Sequence, residues 1–135
     1  MDILTRAELT ELSHVGPFPC VSIYAPMYRA GSNTRQNPIR AKTLLQDAAE
    51  RMSELGCRGP RVEEVLRPAR ELGDSPDNPF WSQQAQALCM LLAPNFSRFL
   101  RLPYETESLV VVGDRLNLKP LIPMINSEGP FHILA

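Results

Sequence analysis

The residues that most often announce chemistry are scarce in this chain, and each shortage narrows what it does. Cysteine occurs three times, at Cys20, Cys57 and Cys89. An odd count with no close pair argues against a disulfide framework and against a C-x-x-C metal or redox site, so the three read as buried thiols in a reducing compartment. The only histidines, His14 and His132, lie near opposite ends of the sequence. Without H-E-x-x-H or a second nearby imidazole a zinc site has little support, and a Ser-His-Asp triad would have to assemble from distant segments. Glycine is never doubled, and neither G-x-G-x-x-G nor G-x-x-x-x-G-K-[ST] nor a G-x-S-x-G nucleophile elbow occurs, which removes the familiar phosphate loops and the hydrolase elbow. With a formal charge of −1 there is no global field to draw in nucleic acid or an anionic membrane. No run approaches the ~18 apolar residues of a membrane span. The opening Met1-Asp2-Ile3-Leu4-Thr5-Arg6 lacks the basic start and apolar core of a signal peptide. These shortages lead to the expectation of a cytoplasmic domain with no catalytic residues, no metal and no cofactor, acting by recognition.

What remains has the composition of an ordinary folded domain: 135 residues, 44 % apolar and 21 % charged, enough for one hydrophobic core and too little for two. Thr5 and Glu8 form a capping box with a Leu4–Leu9 staple beside it, which predicts a short helix over Arg6 to Ser13 with His14 at its C-terminal dipole. Cys20 to Ala25 is β-rich and bounded by Pro19 and Pro26, as a buried strand should be. Polar residues from Pro26 to Gln36 read as a mobile loop. Asn37 then reads as an N-cap with Pro38 in the first helical position. Apolar residues at Ala41, Leu44, Leu45, Ala48, Ala49, Met52 and Leu55 keep helical spacing up to Gly56, which is placed for a left-handed cap. A second helix from near Pro60 carries Val62, Val65, Leu66, Ala69 and Leu72 to Gly73, with Pro68 as a kink or a shifted start.

Farther along, Asp74 and Asp77 read as turn formers rather than a cation site. Trp81 reads as a core anchor more readily than as a stacking platform. Gln86 to Ala93 and Phe96 to Leu102, joined by Pro94-Asn95, predict a hairpin. Ser108 to Val112 predicts another strand, and Leu118 to Ile125 a short helix despite its prolines. The expected architecture is therefore α/β: a mixed sheet with helices packed on it, strand order and direction open. Residues 1–128 form this domain, while Phe131-His132-Ile133-Leu134-Ala135 in residues 129–135 begins a further strand and stops abruptly, which suggests a longer protein.

One local pattern stands out. Between Glu11 and Asp47 there is no acidic residue, while Arg29, Arg35, Arg40 and Lys42 are present, with Tyr24 and Tyr28 close by. Cations beside aromatic rings are what single-stranded RNA or phosphate contacts use. A helix start at Asn37-Pro38 would add anion-seeking N–H groups. The candidate RNA-binding set is Arg29, Arg35, Asn37, Arg40 and Lys42; the same stretch reads equally as a solvated loop that binds nothing.

The order Val21-Ser22-Ile23-Tyr24-Ala25-Pro26, a polar loop, Asn37-Pro38-Ile39-Arg40-Ala41-Lys42 opening a long helix, and later Leu109-Val110-Val111-Val112-Gly113-Asp114-Arg115 with Leu118-Lys119-Pro120-Leu121 resembles the N-terminal domain of bacterial relatives of archaeo-eukaryotic peptide-chain release factors. The resemblance covers nearly the whole chain. It implies an α/β domain docking on the ribosome or a tRNA-like RNA. The family's Asn-Ile-Lys-Ser motif corresponds to Asn37-Pro38-Ile39-Arg40, which inserts a proline and loses the serine, so stop-codon reading does not transfer. The family's Gly-Gly-Gln release motif belongs to its next domain, and no Gly-Gly occurs here. The competing expectation is a protein-interaction or regulatory module without an RNA role, which calls for an exposed apolar patch.

Overall fold

The computed structural model describes residues 4–128. Its centre is strand β1 (Cys20–Pro26), flanked antiparallel by β2 (Ala87–Ala93) on one side and β4 (Leu109–Gly113) on the other. The strand β3 (Phe96–Leu102) extends the sheet beyond β2, giving the order β3-β2-β1-β4 with every pairing antiparallel. The α/β class with helices packed on a sheet stands, but the sheet expected to be mixed is antiparallel at every pairing among the described residues. The β2–β3 hairpin turns on Pro94-Asn95, with Ala93 opposite Phe96 and Asn95 at φ 59°. Proline presets φ at the first turn position, and asparagine tolerates the left-handed region at the second.

Both faces of the sheet are covered. On one lie α2 (Gln36–Glu54), against β1 and β4, and α3 (Gly59–Gly73), against β2 and β3. Val21, Ile23, Leu88, Met90, Leu92 and Val110 meet Ala41, Leu45, Met52, Val65 and Leu66 there. On the other face, Leu4 and Leu12 of the N-terminal segment join Leu116, Leu121, Met124 and Ile125 over Tyr24, Cys89, Leu91 and Leu100. These residues belong to or adjoin α1 (Arg6–Leu12) and α5 (Ile122–Glu128). Because both faces are packed, β2 is buried along its whole length and β1 at every position but the last. That explains their unbroken apolar runs in place of period-two alternation.

Several local predictions hold in detail. The Thr5–Glu8 capping box is formed in both directions. Helix α2 ends in a Schellman arrangement: Gly56 at φ 93°, its N–H on Ser53 C=O and the Cys57 N–H on Met52 C=O. Helix α3 starts at Gly59 and runs on through Pro68, so the shifted start expected of that proline does not occur. Trp81, in the short helix α4 (Pro79–Ser82), is a core residue whose indole Nε1 donates to Leu72 C=O at 2.7 Å. The C-terminal helical prediction is realised as a 3-10 turn over Lys119–Leu121 followed by α5. The strand expected at Phe131 to Ala135 and the boundary at 129 lie outside the described residues.

Two expectations are corrected. The polar stretch before α2 is not uniformly loop: Ser32–Arg35 form a 3-10 turn, opened by Gly31 at φ 84° and running directly into α2. The helix therefore begins ahead of Asn37, whose side chain caps nothing; Arg35 occupies the cap position without a side-chain bond. The cause is the continuity of the two helices. The Gln36 N–H is already bonded to Asn33 and Thr34 C=O, so Asn37 lies inside a continuous helical run and not at a start that needs a cap.

Candidate nucleic-acid interface

The basic stretch gathers where the loop after β1 meets the start of α2 and the end of α3. Asn37 organises it. Fully buried, it accepts the Tyr28 N–H on Oδ1 at 2.9 Å and donates through Nδ2 to Tyr28 C=O and Trp81 C=O, both at 2.9 Å. Asn37 is therefore withdrawn from the candidate contact set: its amide is spent inside the protein. It acts instead as the clip that ties the cation-bearing loop to α2.

Tyr28, held by this clip, stands out partly exposed, and the Arg40 guanidinium lies over its ring, 5.6 Å from the centroid. Arg40 also donates to Pro26 C=O at 2.9 Å. The pair makes a cation–π platform fixed at both ends, a type of contact worth ~0.5–1 kcal/mol at an exposed position. Tyr24, the other ring near the basic stretch, does not take part. It is wholly buried on the opposite face, with its hydroxyl donating to Asn117 C=O at 2.5 Å, and burial pushes its phenol far above the ordinary range. The end of the strand separates the rings: Tyr24 points into the sheet's α1/α5 side, whereas Tyr28 lies past the end of β1 and is no longer bound by its alternation.

Lys42 lies nearly two turns into α2, its ammonium 3.4 Å from Asp74 and its stem against Gly73. A Cβ at Gly73 would sit 2.9 Å from Lys42 Cγ, so glycine there gives the lysine room to cross to α3. Asp74, predicted only as a turn residue, thus becomes an acidic neighbour of the cluster. Nothing in the local sequence signals this, since α2 and α3 must first pack. Arg35, Lys42, Gly73 and Asp74 line one cleft of about 460 Å3 with Ile39 and Pro38. Ile39, missed in the sequence as a surface feature, is 63 % exposed at its rim. A depression of about 760 Å3 continues along α2 from Ile39 and Lys42 to Asp47 and Glu50. The groove is therefore basic at the helix start and acidic farther on.

Arg29 and Arg35 are exposed, and among the described residues neither has a carboxylate within ion-pair distance. Of the five candidates, then, two are free cations, Arg40 is a cation committed to a ring, Lys42 is shared with Asp74, and Asn37 is internal. The expected anion-seeking helix start at Asn37-Pro38 is absent as such, because the Gln36 N–H is bonded within the preceding turn and Pro38 has none.

No family model and no curated protein matches this chain.

Among the described residues no three His, Cys, Asp or Glu side chains are grouped to hold a metal ion, Asp74 and Asp77 included. Nor is any described helix long and apolar enough to cross a membrane. Cys20, Cys57 and Cys89 are all free thiols.

Proposed function

We propose that this chain is a recognition domain, similar to the N-terminal domain of bacterial release-factor-like proteins, that docks on the ribosome or another structured RNA in the cytoplasm through the surface at the start of α2. The observation carrying this reading is the pairing of unneutralised Arg29 and Arg35 with the Tyr28–Arg40 platform on one clipped loop. Free guanidinium groups suit phosphate, because their planar forks donate two parallel hydrogen bonds. A partly exposed ring offers an unpaired base a stacking surface. The ring is held by Asn37 through the Tyr28 backbone, so little ordering entropy would be lost at the stacking surface. The domain's contribution is positioning on RNA, not bond cleavage.

A protein-interaction role draws support from Ile39, an apolar side chain 63 % exposed between a basic and an acidic stretch of groove. Salt separates the two. RNA contacts made through cations release counterions and weaken steeply with ionic strength, whereas docking on Ile39 depends on apolar area. The test is binding of the full chain to purified ribosomes across a salt series, beside Arg29→Gln/Arg35→Gln and Ile39→Ser variants. Saturable, salt-sensitive binding lost in the arginine variant supports the RNA reading. Binding unchanged in that variant removes the assigned surface, and no binding even at low salt overturns the ribosomal role.

A further inference from the structure

The two edges of the sheet are managed differently. The outer strand β3 carries Arg98 and Arg101, which reach to Glu8 Oε2 at 3.0 Å and to Gln83 C=O at 2.9 Å. Charged residues on an edge strand are a common defence against pairing with another chain. At the other edge β4 is Leu-Val-Val-Val-Gly, with no charge and no proline, and among the described residues no strand pairs with its outer side. Leu109 is exposed, and Val111, Val112 and Gly113 are only partly buried. A bare, β-branched, uncharged edge is a ready template for a further strand.

We infer that β4 pairs antiparallel with β4 of a second copy of this chain, joining two four-stranded sheets into one across a two-fold axis at Val111. Symmetry and charge select that register. Centred on Val111, Leu109 meets the second copy's Gly113 and Val110 meets its Val112, so all five strand residues overlap. The flanking Glu107 then faces Arg115 of the other copy, twice over. Both are exposed; Glu107 has no ion-pair partner among the described residues, and Arg115, which gives one N–H to Ser13 C=O at 3.0 Å, keeps its other guanidinium donors for the second copy. A shift of the axis by one residue in either direction shortens the ladder and sets Glu107 against Gly113 or Asn117, neither of which carries a charge. Isologous pairing of this kind closes after two copies, because each β4 edge is consumed by the other. The ladder is short, so the dimer is expected to be weak, on the order of micromolar to tens of micromolar.

Sedimentation equilibrium of the full chain over a wide concentration range tests this, beside Val111→Lys, Glu107→Arg, Arg115→Glu and the double swap Glu107→Arg/Arg115→Glu. The expected result is a monomer–dimer equilibrium abolished by Val111→Lys, weakened several-fold by each single swap and restored by the double swap. Far-UV circular dichroism and thermal melting confirm that each variant remains folded. The charge swaps keep the test decisive if the lysine variant fails to fold. A monomer at every concentration overturns the inference and leaves the edge to some other strand. A dimer indifferent to both the lysine and the swaps overturns it too, since the contact then lies elsewhere.

Discussion

Asn37 holds Tyr28 by its backbone from both sides, Oδ1 on the N–H and Nδ2 on the C=O, each at 2.9 Å. The side-chain amide thus imitates a neighbouring strand for one residue beyond the end of β1, and its second donor bond, to Trp81 C=O, ties α4 to the same point. The cationic loop is thereby anchored to the core, although its own composition gives it nothing to bury.

Replacing Asn37 with alanine should be costly. Three backbone groups lose their partner in a water-poor setting, and orphaned buried polar groups cost ~1–3 kcal/mol apiece before relaxation. The expected loss of stability is on the order of 2–3 kcal/mol by urea denaturation. A loss below about 0.5 kcal/mol, the range of ordinary surface substitutions, would show that the clip is dispensable.

Arg29→Gln/Arg35→Gln should leave the fold intact, because neither side chain has a carboxylate to lose among the described residues. On single-stranded RNA the dependence of log K on log salt should become shallower by about 1.4, at ~0.7 per phosphate contact removed. Arg40→Gln should differ in kind: it gives up the bond to Pro26 C=O and the Tyr28 contact, so both melting temperature and affinity fall. Equal effects of the two variants on melting would contradict the separation of free from committed cations.

At the N-terminus Thr5→Ala breaks the capping box, with an expected cost of ~1 kcal/mol. Its partner Glu8 has a carboxyl held below the ordinary range, first by the Thr5 backbone N–H and then by Arg98. A depressed acid stabilises the fold above its unfolded pKa and loses that contribution as pH falls through the folded one. Acid titration of stability should therefore flatten between about pH 4.5 and the lower folded value in Glu8→Gln. An unchanged acid limb in that variant would count against the linkage.

Under alkaline conditions Cys89 of β2 and the partly buried Tyr104, just beyond β3, reverse the sign. Burial pushes Cys89 from 9.0 up to about 12, and likewise raises Tyr104 from 10.0 to about 12, with the Cys89 charge adding to it. The unfolded chain ionises these groups first. Stability is thus complete below about pH 9 and falls as pH rises toward 12, by at most ~1.4 kcal/mol per pH unit for Cys89 and by less for the partly exposed, solvent-screened Tyr104. Cys89→Ala should lower stability at neutral pH through the lost side-chain volume, yet make the decline from pH 8.5 to 10.5 less steep. A parallel decline in both proteins would exclude Cys89 as a source.

Much of the scaffold was legible in the sequence because its signals are local. A hydroxyl three residues before a carboxylate, a glycine after a periodic apolar run and a Pro-Asn between two β-rich stretches each act within a turn of the chain, and Thr5, Gly56 and Asn95 behave accordingly. The start of α2 misled because Ser32–Arg35 coil into it, so an asparagine with the composition of a cap serves a tertiary bond instead. The positive stretch from Arg29 to Lys42 was visible as charge. Which of those charges are free depends on neighbours far along the chain: Asp74 reaches Lys42 only because α3 packs beside α2, and Tyr28 meets Arg40 only because Asn37 fixes the loop. By itself, then, the sequence determined the long helices, the buried strands and the sign of the candidate surface, since propensity, burial period and charge are properties of short segments; the short helix α4 and the 3-10 turn before α2 escaped it. The antiparallel order of the sheet, the β4 edge left unpaired among the described residues and the division between structural and available cations were decided by tertiary structure, because each is a relation between residues that only packing brings together.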